Sequence, residues 1–155
     1  MKKVLLSAIF SVTMLLAPLF ASSTASALSF KQFTLVSDPS TAVVDLTHVT
    51  MPPLPGQPVT IRETLKDTSG HLAGTGAIDC TVAGFTTTDL LLDCQATFTL
   101  ADGTITGHAI FLTSQHDYPA LVISATGAYQ GAVGVVRILD RAPGDETYMF
   151  NLLLP

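Results

Sequence analysis

Tryptophan is missing from this sequence, and only two cysteines occur in its 155 residues. Seven basic side chains stand against twelve acidic ones, for a net charge of −5. A nucleic-acid binder needs a clustered positive face, and no such patch can be assembled here. Metal-site spacing is also absent: His48, His71, His108 and His116 lie far apart in the chain, without the close pairing of a zinc or iron centre. There is no nucleophile elbow, no phosphate loop feeding a helix and no His-Glu zinc helix. The histidine spacing predicts a protein with no metal site. Helical periodicity is almost missing after the first 27 residues, which argues against helical folds.

The N-terminus differs from the rest. Lys2 and Lys3 precede an apolar run over residues 4–20, and small residues close it at Ala25-Ser26-Ala27. That is the layout of a secretory signal cleaved after Ala27, with a membrane anchor as the competing reading. The expected domains are a signal peptide at 1–27 and one folded unit at 28–155. The mature chain keeps five basic residues against twelve acidic ones, a net charge of −7. No later stretch is apolar and long enough to span a bilayer. The expected location is the periplasm or the cell exterior. Apolar residues make up 48% of the chain and charged residues 12%, enough to bury a core.

What is present is β-pattern. Short runs rich in Val, Ile, Leu and Thr alternate with turn residues, predicting strands at 28–37, 42–49, 59–66, 71–83, 90–100, 104–113, 120–125, 133–139 and 147–154. Residues 51–58 (MPPLPGQP) hold four prolines and cannot form a central strand. Within the strands, alternation separates two faces. Val59, Ile61 and Leu65 share a face with Glu63, opposite Thr60, Arg62, Thr64 and Lys66. Leu90, Leu92, Cys94, Ala96, Phe98 and Leu100 share a face opposite Asp93, Gln95, Thr97 and Thr99. The predicted fold is all-β: a closed antiparallel eight-stranded barrel whose lumen holds side chains or one small ligand.

Two features of this pattern carry chemistry. Cys80 and Cys94 fall on the apolar face and stand opposite each other if the hairpin is symmetric about Thr87. In an exported protein a disulfide is then the default. Glu63 interrupts an apolar face, and a charge turned into a barrel needs a partner or a task. Arg137 on the eighth strand is a candidate partner; an exposed Glu63 is the alternative.

Three blocks, at 74–81 (GTGAIDCT), 98–105 (FTLADGTI) and 123–136 (ISATGAYQGAVGVV), resemble in order and spacing the allene oxide cyclase barrel superfamily. That group includes allene oxide cyclases, dirigent proteins and bacterial spirotetronate cyclases. The last block is similar to the family's glycine-rich segment, with Ala125 where a glycine is common. The resemblance covers roughly residues 43–154. It implies a cavity-bearing barrel, no cofactor, an apolar small-molecule partner, stereochemical control over a reactive intermediate, and self-association as a dimer or trimer. It places Asp45 and Thr47 near a polar pair of the plant cyclases, and Cys80 near a pocket cysteine, so a free pocket thiol stands beside the disulfide reading. Asp45 and Glu63 are the expected catalytic carboxylates. Thr47, Cys80, Phe98 and Tyr148 are the expected ligand-binding residues, and Tyr118 and Tyr129 are further phenols placed at strand ends. The expected function is binding an apolar molecule and steering its cyclisation, isomerisation or coupling. A lipocalin-like binding protein and a structural envelope module with a filled lumen are the alternatives.

Overall fold

The computed structural model describes residues 27–140 and 145–155. The expected signal segment up to residue 26, and most of the turn expected at 142–145, lie outside the described residues. Nine strands follow one another: β1 (Ser29–Ser37), β2 (Val43–Asp45), β3 (Pro58–Asp67), β4 (Leu72–Phe85), β5 (Leu90–Leu100), β6 (Gly103–Leu112), β7 (Asp117–Ala125), β8 (Val133–Asp140) and β9 (Glu146–Leu154). A single turn of 3₁₀ helix, Gly127–Tyr129, joins β7 to β8.

Eight of these strands close into an antiparallel barrel. The order runs β1-β9-β8-β7-β6-β5-β4-β3, and β1 pairs back onto β3 through Leu35↔Asp67, Val36↔Lys66 and Ser37↔Leu65. The extra strand β2 lies on the same edge of β3, at Val43↔Arg62 to Asp45↔Thr60. The strand expected over 42–49 is therefore cut to three residues. The cause is local: the Asp45 carboxylate accepts the Thr47 N–H at 2.8 Å, and the Val49 N–H reaches the Leu46 carbonyl at 2.9 Å. An Asp that captures its own backbone two residues on starts a turn and ends a strand.

The glycine-rich segment forms the tight connection from β7 to β8, where Gly127 and Gly131 have positive φ, and a close contact between β8 and β9. Gly134 in β8 has φ +154, and a side chain there would run into the Asn151 carbonyl of β9. Only a residue without Cβ lets the two strands approach this closely.

The inside of the barrel is divided along its axis. At the end bearing the 3₁₀ turn, side chains fill it completely: Leu65, Phe98, Ile105, Val136, Tyr148, Phe150 and Leu152 are all essentially inaccessible. Phe150 stacks on Phe33 with ring centroids 4.5 Å apart, and Phe98 meets Phe150 edge-on at 5.0 Å. Rings in these offset and edge-to-face arrangements add to the burial of their surface. Toward the other end, a smaller cluster of Val59, Val82 and Leu92 surrounds a disulfide between Cys80 and Cys94. The two cysteines are direct cross-strand partners in β4 and β5, so Cys80 is not a free thiol.

The disulfide closes a short hairpin, with a sequence separation of 14. Constraining a loop of this length in the unfolded chain stabilises the fold by about 3 kcal/mol. Replacing both cysteines with alanine is predicted to lower the unfolding free energy by about that amount, read as a lower urea midpoint at unchanged slope.

Candidate functional site

Above the packed aromatics the barrel is open. A cavity of about 290 Å³ occupies the end where β8 hands over to β9. Its walls are apolar: Val59 and Ile61 from β3, Ile78 and Cys80 from β4, Leu92, Cys94 and Ala96 from β5, Ala109 and Phe111 from β6, Ala120 from β7 and Ile138 from β8. Val44 and Leu46 form its rim, at 44% and 52% exposure. These residues face inward because β-strands alternate, and each strand contributes every second side chain.

Polar groups enter the cavity on few sides. Thr113 is one, but its hydroxyl is engaged, accepting from the Leu90 N–H at 3.1 Å and donating to Asp89 at 3.4 Å. The others are Tyr118, Asp140, Glu146 and Tyr148. Asp140 and Glu146 are direct partners across β8 and β9. Tyr118 stacks on Phe111 with centroids 4.0 Å apart and planes 11° from parallel. Burial pushes the Tyr118 phenol well above its ordinary value, and the charges of Asp140, Glu146 and Glu63 push it further.

Glu63 sits just behind this wall. Its exposure is 5%, and its side chain points inward, as the alternation of β3 requires. Tyr148 Oη donates to Glu63 Oε1 at 2.6 Å, and Ser37 Oγ donates to Oε2 at 2.5 Å. All three residues are buried, with Ser37 at 2% and Tyr148 at 1% exposure. Gly76 makes the space: it is the cross-strand partner of Glu63, and a Cβ there would lie 2.5 Å from Glu63 Oε1 and 2.8 Å from its Cγ. Burial raises the Glu63 pKa above the usual 4.5, and the bonds from Ser37 and Tyr148 oppose that rise without cancelling it. The Tyr148 phenol is raised well above its ordinary range, first by burial and then by the Glu63 charge and hydrogen bond. Tyr148 is therefore a donor to Glu63 and not a base.

The expected site residues separate into two groups. Glu63, Cys80 and Tyr148 come together at or directly behind the cavity. Arg137 is not the partner of Glu63; it lies on the outside of β8 and forms a two-pronged ion pair with Asp117, its Nε 2.8 Å from Asp117 Oδ1. Asp45 and Thr47 are exposed, and Asp45 alternates with the rim residues Val44 and Leu46, so its carboxylate points away from the cavity. Phe98 lies under the cavity and not in its wall, edge-on to Tyr148 at 4.9 Å. Tyr129 belongs to the filled end, beside Phe33 at 6.0 Å. Asp140 and Glu146 were not anticipated as site residues. Their signal is the alternation of Val136 and Ile138 in β8, and of Tyr148, Phe150 and Leu152 in β9, carried one step further toward the connecting turn. Among the described residues no cluster of three or more His, Cys, Asp or Glu is arranged to hold a metal ion.

Solved structures share this architecture. No family model matches the chain, and no curated protein matches it. A pyocyanin demethylase is similar at 18% identity and TM-score 0.65, over 80% of this chain and 99% of the other. AbnU, an exo-specific intermolecular Diels-Alderase, matches at 18% identity and TM-score 0.59, over 81% and 98% of the two chains. The pterocarpan synthase dirigent protein PsPTS1 matches at 15% identity and TM-score 0.55, over 83% and 95%. The chain thus shares the closed β-barrel fold of these structures. No helix among the described residues is long and apolar enough to cross a membrane.

The clamp on Glu63 has a pH signature. A carboxyl whose folded pKa lies above its unfolded value contributes stability that is complete below the unfolded pKa, and loses it as pH rises through the folded one. The difference in unfolding free energy between Glu63→Gln and the parent is predicted to shift in favour of the variant as pH rises above 4.5. Urea titrations across the range measure it. Tyr148→Phe removes one donor from a buried carboxylate and is predicted to cost about 1–3 kcal/mol near neutral pH.

Proposed function

We propose that this protein binds an apolar small molecule in the open half of its barrel and steers that molecule's cyclisation, isomerisation or coupling. The observation that carries this reading is the 290 Å³ cavity with apolar walls and polar groups gathered at one end. Its size is at the small end of ligand pockets, and such a mixture is their usual composition. A dry, shaped cavity accelerates a reaction by holding one reactive conformer and excluding water. The names of the structural neighbours, two of which describe a Diels-Alderase and a dirigent protein, support this class of chemistry. Of the expected polar residues, Tyr148 lines the cavity and Glu63 lies directly behind it, whereas Asp45 points away.

A second reading, a non-catalytic carrier, is favoured by one feature. Both Glu63 oxygens are already committed to Ser37 and Tyr148, which suits a structural role for the acid. The proposal includes export after cleavage at Ala27, supported by the disulfide, since such bonds persist in oxidising compartments. Self-association is supported by an apolar patch on the outer wall, where Phe30, Val133 and Leu153 are exposed neighbours across β1, β9 and β8.

Filling the cavity tests the reading. Ala109→Phe places a ring in the lumen and is expected to abolish binding of a co-purifying small molecule. Native mass spectrometry of both proteins, purified from the natural host, should show a small-molecule adduct on the parent alone. Identical spectra with no adduct on either would count against a ligand-binding barrel.

A further inference from the structure

A second hollow adjoins the cavity. A groove of about 350 Å³ lies between the proline-rich loop that follows β2 and the turn from β4 to β5. Leu46, Leu90 and Thr113 line both spaces, so the groove begins where the cavity ends. Its outer walls are Met51 and Pro53 on the loop and Phe85 at the end of β4.

The loop is braced in place. The Gln57 amide oxygen accepts from the Leu54 N–H at 2.7 Å and the Thr50 N–H at 3.2 Å, and its nitrogen donates to Thr50 Oγ1 at 2.8 Å. The Gly56 N–H donates to the Val82 carbonyl at 2.8 Å and the Val82 N–H to the Gln57 carbonyl at 2.9 Å, which ties the loop to β4. This braced loop holds Met51 out at 91% exposure, and Phe85 borders the same groove at 50%. Single exposed apolar side chains are ordinary, whereas several around one groove mark a contact surface. The polar side chains of the groove are spent on one another. Thr86 Oγ1 accepts from the Asp89 N–H at 3.0 Å, and the Thr88 and Thr113 hydroxyls donate to the Asp89 carboxylate at 3.0 and 3.4 Å. What the groove offers an occupant is therefore chiefly apolar surface, already shaped before anything binds.

We propose that the groove seats a neutral hydrocarbon chain carried by the same ligand whose compact head fills the barrel cavity. The chain leaves the lumen past Leu46 and Leu90 and covers Met51 and Phe85. Continuity of the two spaces at three shared residues argues for one molecule spanning both. The proposal rests on the reading of the cavity as a ligand site and adds the shape of what enters it, a head with a tail.

A series of neutral fluorescent probes with one head and a growing tail tests it: 7-methoxycoumarin, 7-butoxycoumarin and 7-hexyloxycoumarin. Affinities for the full chain are measured by fluorescence titration. Each step up the series is expected to tighten binding by about tenfold, because the added methylenes leave water. In the double variant Met51→Ser, Phe85→Ser, the hexyloxy probe is expected to lose about tenfold while the methoxy probe changes by less than about twofold. Both side chains are exposed, so the fold does not depend on them; Met51→Ser alone should show a smaller loss in the same direction. Affinity that is flat along the series, or a gain that is the same in the variants, overturns the groove assignment while leaving the cavity as a ligand site. Hexyloxy binding that survives Ala109→Phe when methoxy binding is lost makes the groove a separate site and overturns the single-molecule assignment. A groove covered by a second copy of the chain would show instead as a lower mass of Met51→Ser in sedimentation with no dependence on tail length, and that result also overturns the proposal. Failure of all three probes to bind overturns both this proposal and the ligand-binding reading beneath it.

Discussion

The barrel depends on a clamp at its seam. Every neighbouring pair in the ring except one shares a longer ladder, whereas β1 and β3 pair through three residues only. That short junction is where Ser37 of β1 and Tyr148 of β9 meet the Glu63 carboxyl of β3. Three successive strands of the ring are tied by one buried acid. Outside the wall, the Asp38–Lys66 ion pair at 2.6 Å and the Asp38 N–H on the Thr64 carbonyl at 2.8 Å reinforce the same closure. The ion pair and the Ser40 hydroxyl hold the Asp38 carboxyl down to about 2. An exposed pair of this kind contributes little by itself. The buried one cannot be halved without stranding a polar group in the core.

The clamp also marks the boundary between the two halves of the interior. On one side Phe98 and Phe150 fill the lumen edge to face. On the other the side chains shrink to Ala96, Ala109, Ala120 and Gly107, and the space opens. Tyr148 has its ring on the packed side and its hydroxyl on the polar one, which is how a tyrosine serves when one end must be dry. A rigid floor of aromatics under a small cavity restricts how a ligand sits, because cores at crystal-like density do not yield.

Much of this was legible from periodicity. Alternation alone turned Glu63 inward and placed Cys80 and Cys94 on a common face, because a strand's two faces follow from backbone geometry. What periodicity does not contain is depth along the barrel. Phe98 and Ala96 share a face in β5, yet one is floor and the other wall; only the closure of the ring decides which. Nor does it contain which end of a strand is a turn. Asp45 lies two residues from a backbone N–H that it captures, and that local bond removes it from the lumen. Asp140 and Glu146 border a connection rich in turn residues, so they resemble a solvated hairpin tip although they extend the inward face of both strands. The glycine-rich block at 123–136 pointed to the fold and not to chemistry, and the structure uses it for a tight connection and for the close approach of β8 to β9.

Gly76 has a consequence beyond its own position. The seat of the Glu63 carboxyl is shaped by the lack of a side chain across the ladder. Residues 63 and 76 are thus a single unit of heredity in physical terms. While the acid is kept, even a methyl group at 76 is excluded, and once the acid is shortened, the glycine loses its purpose. A chain drifting from this one should change both positions together or neither.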